Sequence, residues 1–128
     1  MIRIDVTSDT PIQFKCKTSD TFLFDGFDFF SDAAKTIPLD ISADAFLMKV
    51  LDSDGEDVLT LSGGTNFIVS GTDDNHLAIT ASNTVMDLPP TPEGCAHTYF
   101  IEWTQTSTGK VTTFATGPFI IEQKDKNG

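Results

Sequence analysis

At 128 residues the chain is sized for one domain, long enough to build a core without covalent staples. Nineteen acidic residues face eight basic ones, a formal charge of -11, and the few Lys and Arg form no cluster. That balance excludes nucleic acid and anionic membrane surfaces, which demand concentrated positive charge, and no run approaches the roughly 18 apolar residues of a membrane helix.

The acids sit singly or in short groups between apolar runs, as on a solvated surface and not as in a disordered acidic tail. Eleven Phe against one Tyr and one Trp predict a Phe-rich core, because Phe brings buried area without a polar atom to satisfy.

The first residues, Ile2, Ile4 and Val6 alternating with Arg3 and Asp5, predict a strand with one face in water. They are no signal-peptide apolar region, so the chain is expected to be made inside the cell. After a loop at residues 7–11, Ile12, Phe14 and Cys16 alternate in the same way with Gln13, Lys15 and Lys17. Residues 21–30 form a third β stretch, interrupted by Asp25-Gly26, which reads as a hairpin turn or a bulge. A loop follows at residues 31–35.

Residues 37–43 lead into a strand at 45–51, with Phe46, Met48 and Val50 on one face. Asp52-Ser53-Asp54-Gly55 turns the chain into a return strand at 58–61, and Ser62-Gly63-Gly64-Thr65 turns it again. Short strands are expected at 67–69 and 77–80. Residues 82–88 are the one candidate helical turn, with Asn83 as its N-cap and Pro89-Pro90 as its stop. Residues 98–105 alternate clearly, sending Tyr99, Ile101 and Trp103 inward. Thr106-Ser107-Thr108-Gly109 turns into a strand at 110–116, Gly117-Pro118 breaks the chain, and a last strand covers 119–122. About ten short strands at this spacing predict an all-β antiparallel sandwich, one domain over 1–122 with a polar tail at 123–128.

The search for chemistry returns little. The histidines are His76 and His97. His97 is two residues from Cys95, but both stand in a Pro/Gly-rich approach to a strand, which argues against a catalytic pair. His76, beside a strand start, reads as a surface residue. The two cysteines, Cys16 and Cys95, read as separate buried thiols, with a disulfide left open. Asp52 to Asp57 resembles the front of a calcium loop, yet Gly comes at the fourth position instead of the sixth, and the twelfth is Gly63 instead of an acid. A solvated turn is expected there. Asp25, Asp28 and Asp32 match no ligand spacing, no carboxylate pair stands out for glycoside hydrolysis, and no phosphate-binding glycine pattern occurs. Catalytic, cofactor-binding and metal residues are therefore expected to be absent. The segment with Asp25, Phe27, Phe29 and Phe30 has two readings: a contact element that sets Phe beside acids, or a bulged core strand.

One ordered set of features is familiar. Ile37-Pro38-Leu39-Asp40-Ile41-Ser42-Ala43-Asp44-Ala45 precedes a strand that ends in an acidic turn with Gly. Later come the strand at 77–80 with its following turn and Leu88-Pro89, then Gly94 before Tyr99-Phe100-Ile101-Glu102-Trp103. Last are the hairpin at 107–113 and Gly117-Pro118-Phe119-Ile120-Ile121. This order resembles the immunoglobulin-like domain of tailed-bacteriophage structural proteins, such as the N-terminal domain of baseplate upper proteins, over roughly residues 27–122. It departs where Ala43 replaces the usual Gly, and where Gly94 is spaced out by three residues on either side. The resemblance implies an immunoglobulin-like sandwich in a phage or prophage virion of tail, baseplate or neck type. Its partners would be other virion structural proteins and further copies of itself, with no nucleic acid, membrane or cofactor. A carbohydrate-binding or adhesion module is the alternative, and it would need an exposed aromatic platform from Trp103 or Tyr99.

Overall fold

Alternation becomes structure here because each strand can send every second side chain into one shared core. The computed structural model describes residues 2–5, 10–91 and 96–122. The strands are β1 (Ile2–Ile4), β2 (Thr10–Pro11), β3 (Phe14–Lys17), β4 (Phe22–Phe29), β5 (Ala45–Leu51), β6 (Asp57–Ser62), β7 (Phe67–Ser70), β8 (His76–Ala81), β9 (His97–Thr104) and β10 (Val111–Glu122). A single-turn helix, α1 (Gly63–Asn66), lies between β6 and β7.

Two sheets pack face to face. One has the order β1-β4-β8-β7, the other β2-β10-β9-β5-β6, with β3 also on β10. Pairing is antiparallel except at the N-terminal segments: β1 runs parallel to β4, and β2 and β3 run parallel to β10. The all-β sandwich predicted from alternation is thus the observed architecture.

Eight of the eleven phenylalanines are buried, so the Phe excess is core. Phe29 is at the centre of their network. Its ring meets Trp103 at 4.8 Å, Phe114 at 5.3 Å and Phe46 at 5.5 Å, all edge to face, the arrangement favoured by ring quadrupoles.

Two bulges decide which residues reach this core. In β4, Phe22 is buried at an even position, whereas Phe27 and Phe29 are buried at odd ones. The parity resets because the register with β8 shifts between Asp25 and Phe27, leaving Gly26 as the extra residue. Of the two readings of Asp25-Gly26, the bulge is the observed one. β10 repeats the device between Thr113 and Ala115, so that Thr112 and Phe114 point inward before it and Phe119 and Ile121 after it.

Gly117-Pro118 does not break the chain as expected; β10 runs through it. β2 pairs with residues 115–116 and β3 with 119–122, so the ladder on that side is already interrupted opposite Gly117 and Pro118. A proline without an N–H is tolerated at such a gap. Gly117 is needed because the Ile12 backbone crosses it closely: a Cβ there would lie 2.2 Å from the Ile12 carbonyl oxygen.

Tyr99 secures the same crossing. Its hydroxyl donates to the Ile12 carbonyl at 2.6 Å, and burial pushes the phenol pKa up. Tyr99→Phe is expected to cost about 1–2 kcal/mol in urea unfolding, since it leaves that carbonyl without its partner.

Two local expectations are corrected. The turn at 82–88 is one helical turn closed by the Met86 N–H on the Ser82 carbonyl, and its cap is the Ser82 hydroxyl, which accepts from Val85 N–H at 3.3 Å, not Asn83. The 62–65 turn is instead α1, whose flanks are tied by Asn66: its side chain accepts from Ser62 N–H and donates to the Thr80 carbonyl.

Candidate functional site

The segment singled out for contacts divides on folding. Phe27 and Phe29 are 0% exposed, which removes both from any contact surface; the bulged core strand is the arrangement seen. Asp25 and Phe30 remain accessible in part. Arg3 lies over the Phe30 ring, its guanidinium carbon 5.7 Å from the centroid, and Phe30 bridges to Pro38.

The bulge that buries the two rings also assembles a polar cluster that the sequence did not announce. Asp25 and Asp28 are three apart and would face opposite sides of a regular strand. With Gly26 inserted, both reach the outer face of the four-stranded sheet, beside β8. Asp28 stands directly opposite His76 in register, and Asp25 opposite Ala78. His76 Nδ1 lies 2.7 Å from Asp28 Oδ1, and its Nε2 contacts Asp25 Oδ1. The imidazole lies on the outer face of the sheet, as expected, but the two carboxylates cover it so that 16% of the side chain is exposed. Its pKa is raised, first by the Asp28 hydrogen bond and then, against some desolvation, by Asp25. Both ring nitrogens are engaged by carboxylates, so neither is left to activate a nucleophile.

The other sequence candidates resolve into structure. The Asp52 carboxylate accepts from the N–H groups of Asp54 and Glu56 at 2.9 and 3.0 Å, and Gly55 takes φ +81°: this is a side-chain-closed β-turn. The Asp32 carboxyl is bound by Thr36 and Ile37 and drawn down to about 2, ordering its own loop. Tyr99 and Trp103 are buried and offer no ring to a sugar. Instead the Trp103 indole donates to Asp44 Oδ2 at 2.8 Å, while Thr106 N–H donates to the other oxygen of Asp44. The Ile37 to Ala45 segment therefore acts as a strap from β4 to β5, with Ile41 fully buried. Asp44→Ala is expected to lower stability by about 1–3 kcal/mol, because it strands a buried indole N–H; thermal unfolding reads this directly.

An open groove of about 560 Å³ runs between β3 and β4, lined by Phe14, Cys16, Phe22 and Phe24, with Lys15 and Lys17 beside it. Cys16 is a free thiol whose pKa is pushed up to about 11, first by burial and then by Asp20 and Glu122. It stays protonated at neutral pH and is a poor nucleophile. In a Cys95→Ser background, labelling by a thiol reagent at pH 7.4 is expected to be slow in the folded protein and fast in denaturant. Cys95 lies outside the described residues, and with it the Cys95–His97 pairing. Among the described residues no three His, Cys, Asp or Glu side chains are set to hold a metal ion, and no helix is long and apolar enough to cross a membrane.

Comparison with protein-family models and with curated proteins returns no match for this chain.

Proposed function

We propose that the chain is a non-catalytic structural protein of a phage or prophage virion, of tail, baseplate or neck type, acting through protein–protein contacts, and that its sandwich is immunoglobulin-like. The observation that carries this reading is the strand order. With β4, β5, β6, β7, β8, β9 and β10 taken as strands B, C, C′, D, E, F and G, the two sheets follow the A-B-E-D and G-F-C-C′ orders of immunoglobulin-type sandwiches. Of the segments that carry the resemblance, the Ile37 to Ala45 strap leads into β5 and Tyr99 lies in β9. The fold departs from antibody domains in its details. Its inter-sheet contact is Phe29 on Trp103 instead of a disulfide, and the Tyr99 hydroxyl reaches Ile12 at the opposite end of the chain.

A sandwich of this type hosts many roles, and the step to a virion component is drawn from the resemblance. It is supported by surfaces suited to assembly. Among the described residues β6 and β7 are sheet edges, joined by α1, and Leu23 and Ile68 project from the outer face of the four-stranded sheet. Co-expression with the products of the neighbouring genes tests this reading. A stable complex with at least one virion-type protein is expected; recovery of the chain alone from every combination would overturn it.

A further inference from the structure

The Asp25, His76 and Asp28 cluster serves no step of the reading above and stands independently of it. Its geometry sets a condition on protons. A neutral imidazole has one N–H donor and one acceptor nitrogen. Here both nitrogens face carboxylate oxygens, which only accept. Both contacts are attractive only while the ring carries two protons. We propose that these three residues form a proton-operated latch tying β4 to β8 across the Gly26 bulge, closed while His76 is an imidazolium and half-released when its second proton leaves.

The contact that opens follows from exposure. The Asp28 side chain is 27% exposed and lies directly across the ladder from His76, whereas the Asp25 side chain is 61% exposed on the bulge. Proton loss therefore leaves the Nδ1–H on Asp28, and Asp25 swings from the bare Nε2 into water. The neighbouring strands leave this preference in place. On β1, Arg3 is in register with Asp28, and its guanidinium lies over the Phe30 ring. On β7, the partner of His76 is Ser70, which is uncharged. The loop before β8 carries Asp73 and Asp74, and the groups that act on the ring are Asp28 and Asp25. Opening removes the imidazolium's positive charge from the outer face of this sheet and frees the bulge, so the surface offered there depends on the protonation of His76.

The direction of the stability effect follows by linkage. The folded-state pKa is raised above the ordinary 6.5. The latch therefore contributes fully below that value and is lost as pH rises through the folded-state pKa.

The test compares the wild type with His76→Gln, which keeps one amide donor and carries no charge. At pH 5.5 the wild type is expected to melt about 3–5 °C above the variant, with the gap closing to about 1 °C or less at pH 8.5. A gap that does not change with pH would overturn the latch. NMR of the wild-type ring supplies the second measurement, assigned with His97→Gln. A His76 pKa above 6.5, and the Nδ1–H tautomer at high pH, are expected. A pKa at or below 6.5, or the Nε2–H tautomer, contradicts the proposal even if His76→Gln fails to fold.

Discussion

Phe29→Ala is expected to cost about 3–5 kcal/mol, the range for removing a large aromatic from a packed core. Domains of this size hold only about 5–15 kcal/mol in total, so the substitution removes roughly a fifth of the stability or more. The reason lies in position. Phe29 is 0% exposed and touches Trp103 and Phe114 across the sandwich, so its loss opens a cavity bounded by rigid rings that cannot collapse into it. Phe30, the next residue, faces the opposite way with Arg3 over its ring. Phe30→Ala is expected to cost about 1 kcal/mol. Urea unfolding of the pair measures the contrast. Equal losses would mean that the bulge at Gly26 does not set the parity of β4 as described.

Gly117→Ala is expected to cost about 2–4 kcal/mol, more than an added methyl group ordinarily does. The new Cβ would have to displace the Ile12 backbone, and with it the Ile12 N–H bond to the Thr116 carbonyl and the Tyr99 hydroxyl bond. Gly109→Ala is the control. Gly109 also has positive φ, +70°, but nothing lies within 4 Å of its Cβ position. It carries the conformational strain alone, about 1–2 kcal/mol. Hydrogen exchange would locate the damage: faster exchange at Ile12, which bonds β10 at the crossing, is expected in Gly117→Ala and not in Gly109→Ala. If the two variants lose the same stability, close approach is not what requires Gly117.

Much of this fold is legible in the sequence wherever a strand is regular. Ile2 and Ile4, Phe46 to Val50, and Tyr99 to Trp103 alternate without interruption, and each side chain goes where alternation sends it. Legibility fails where one residue depends on a distant segment. Gly117-Pro118 has the local chemistry of a chain break, but what makes it continuous is a gap in the ladder opposite, set by residues more than a hundred positions earlier. The double Gly of α1 argues against a helix by propensity, and its place is fixed by Asn66 bonding to Thr80 of β8. Ser82 displaces Asn83 as cap because the helical turn begins one residue earlier than the sequence suggests.

The polar cluster shows the same limit more sharply. Asp25-Gly26 is readable as a bulge, and a bulge would bring Asp25 and Asp28 to one face. Nothing local says that His76, 48 residues beyond Asp28, lies across from them, because that requires the β4–β8 register. The resemblance motifs illustrate the converse. Residues that first stand out as a signature of a class prove to be joints of the sandwich: Asp44 holds Trp103, Ile41 fills the core, and Gly117 admits Ile12.

The central claim is that this sandwich is a building block that works by assembly. Light scattering coupled to size exclusion, over a series of protein concentrations at moderate salt, tests it most directly. The account predicts a solution mass at a whole-number multiple of 13.9 kDa, consistent with a closed symmetric oligomer. A mass that stays at 13.9 kDa up to the highest concentration would contradict it.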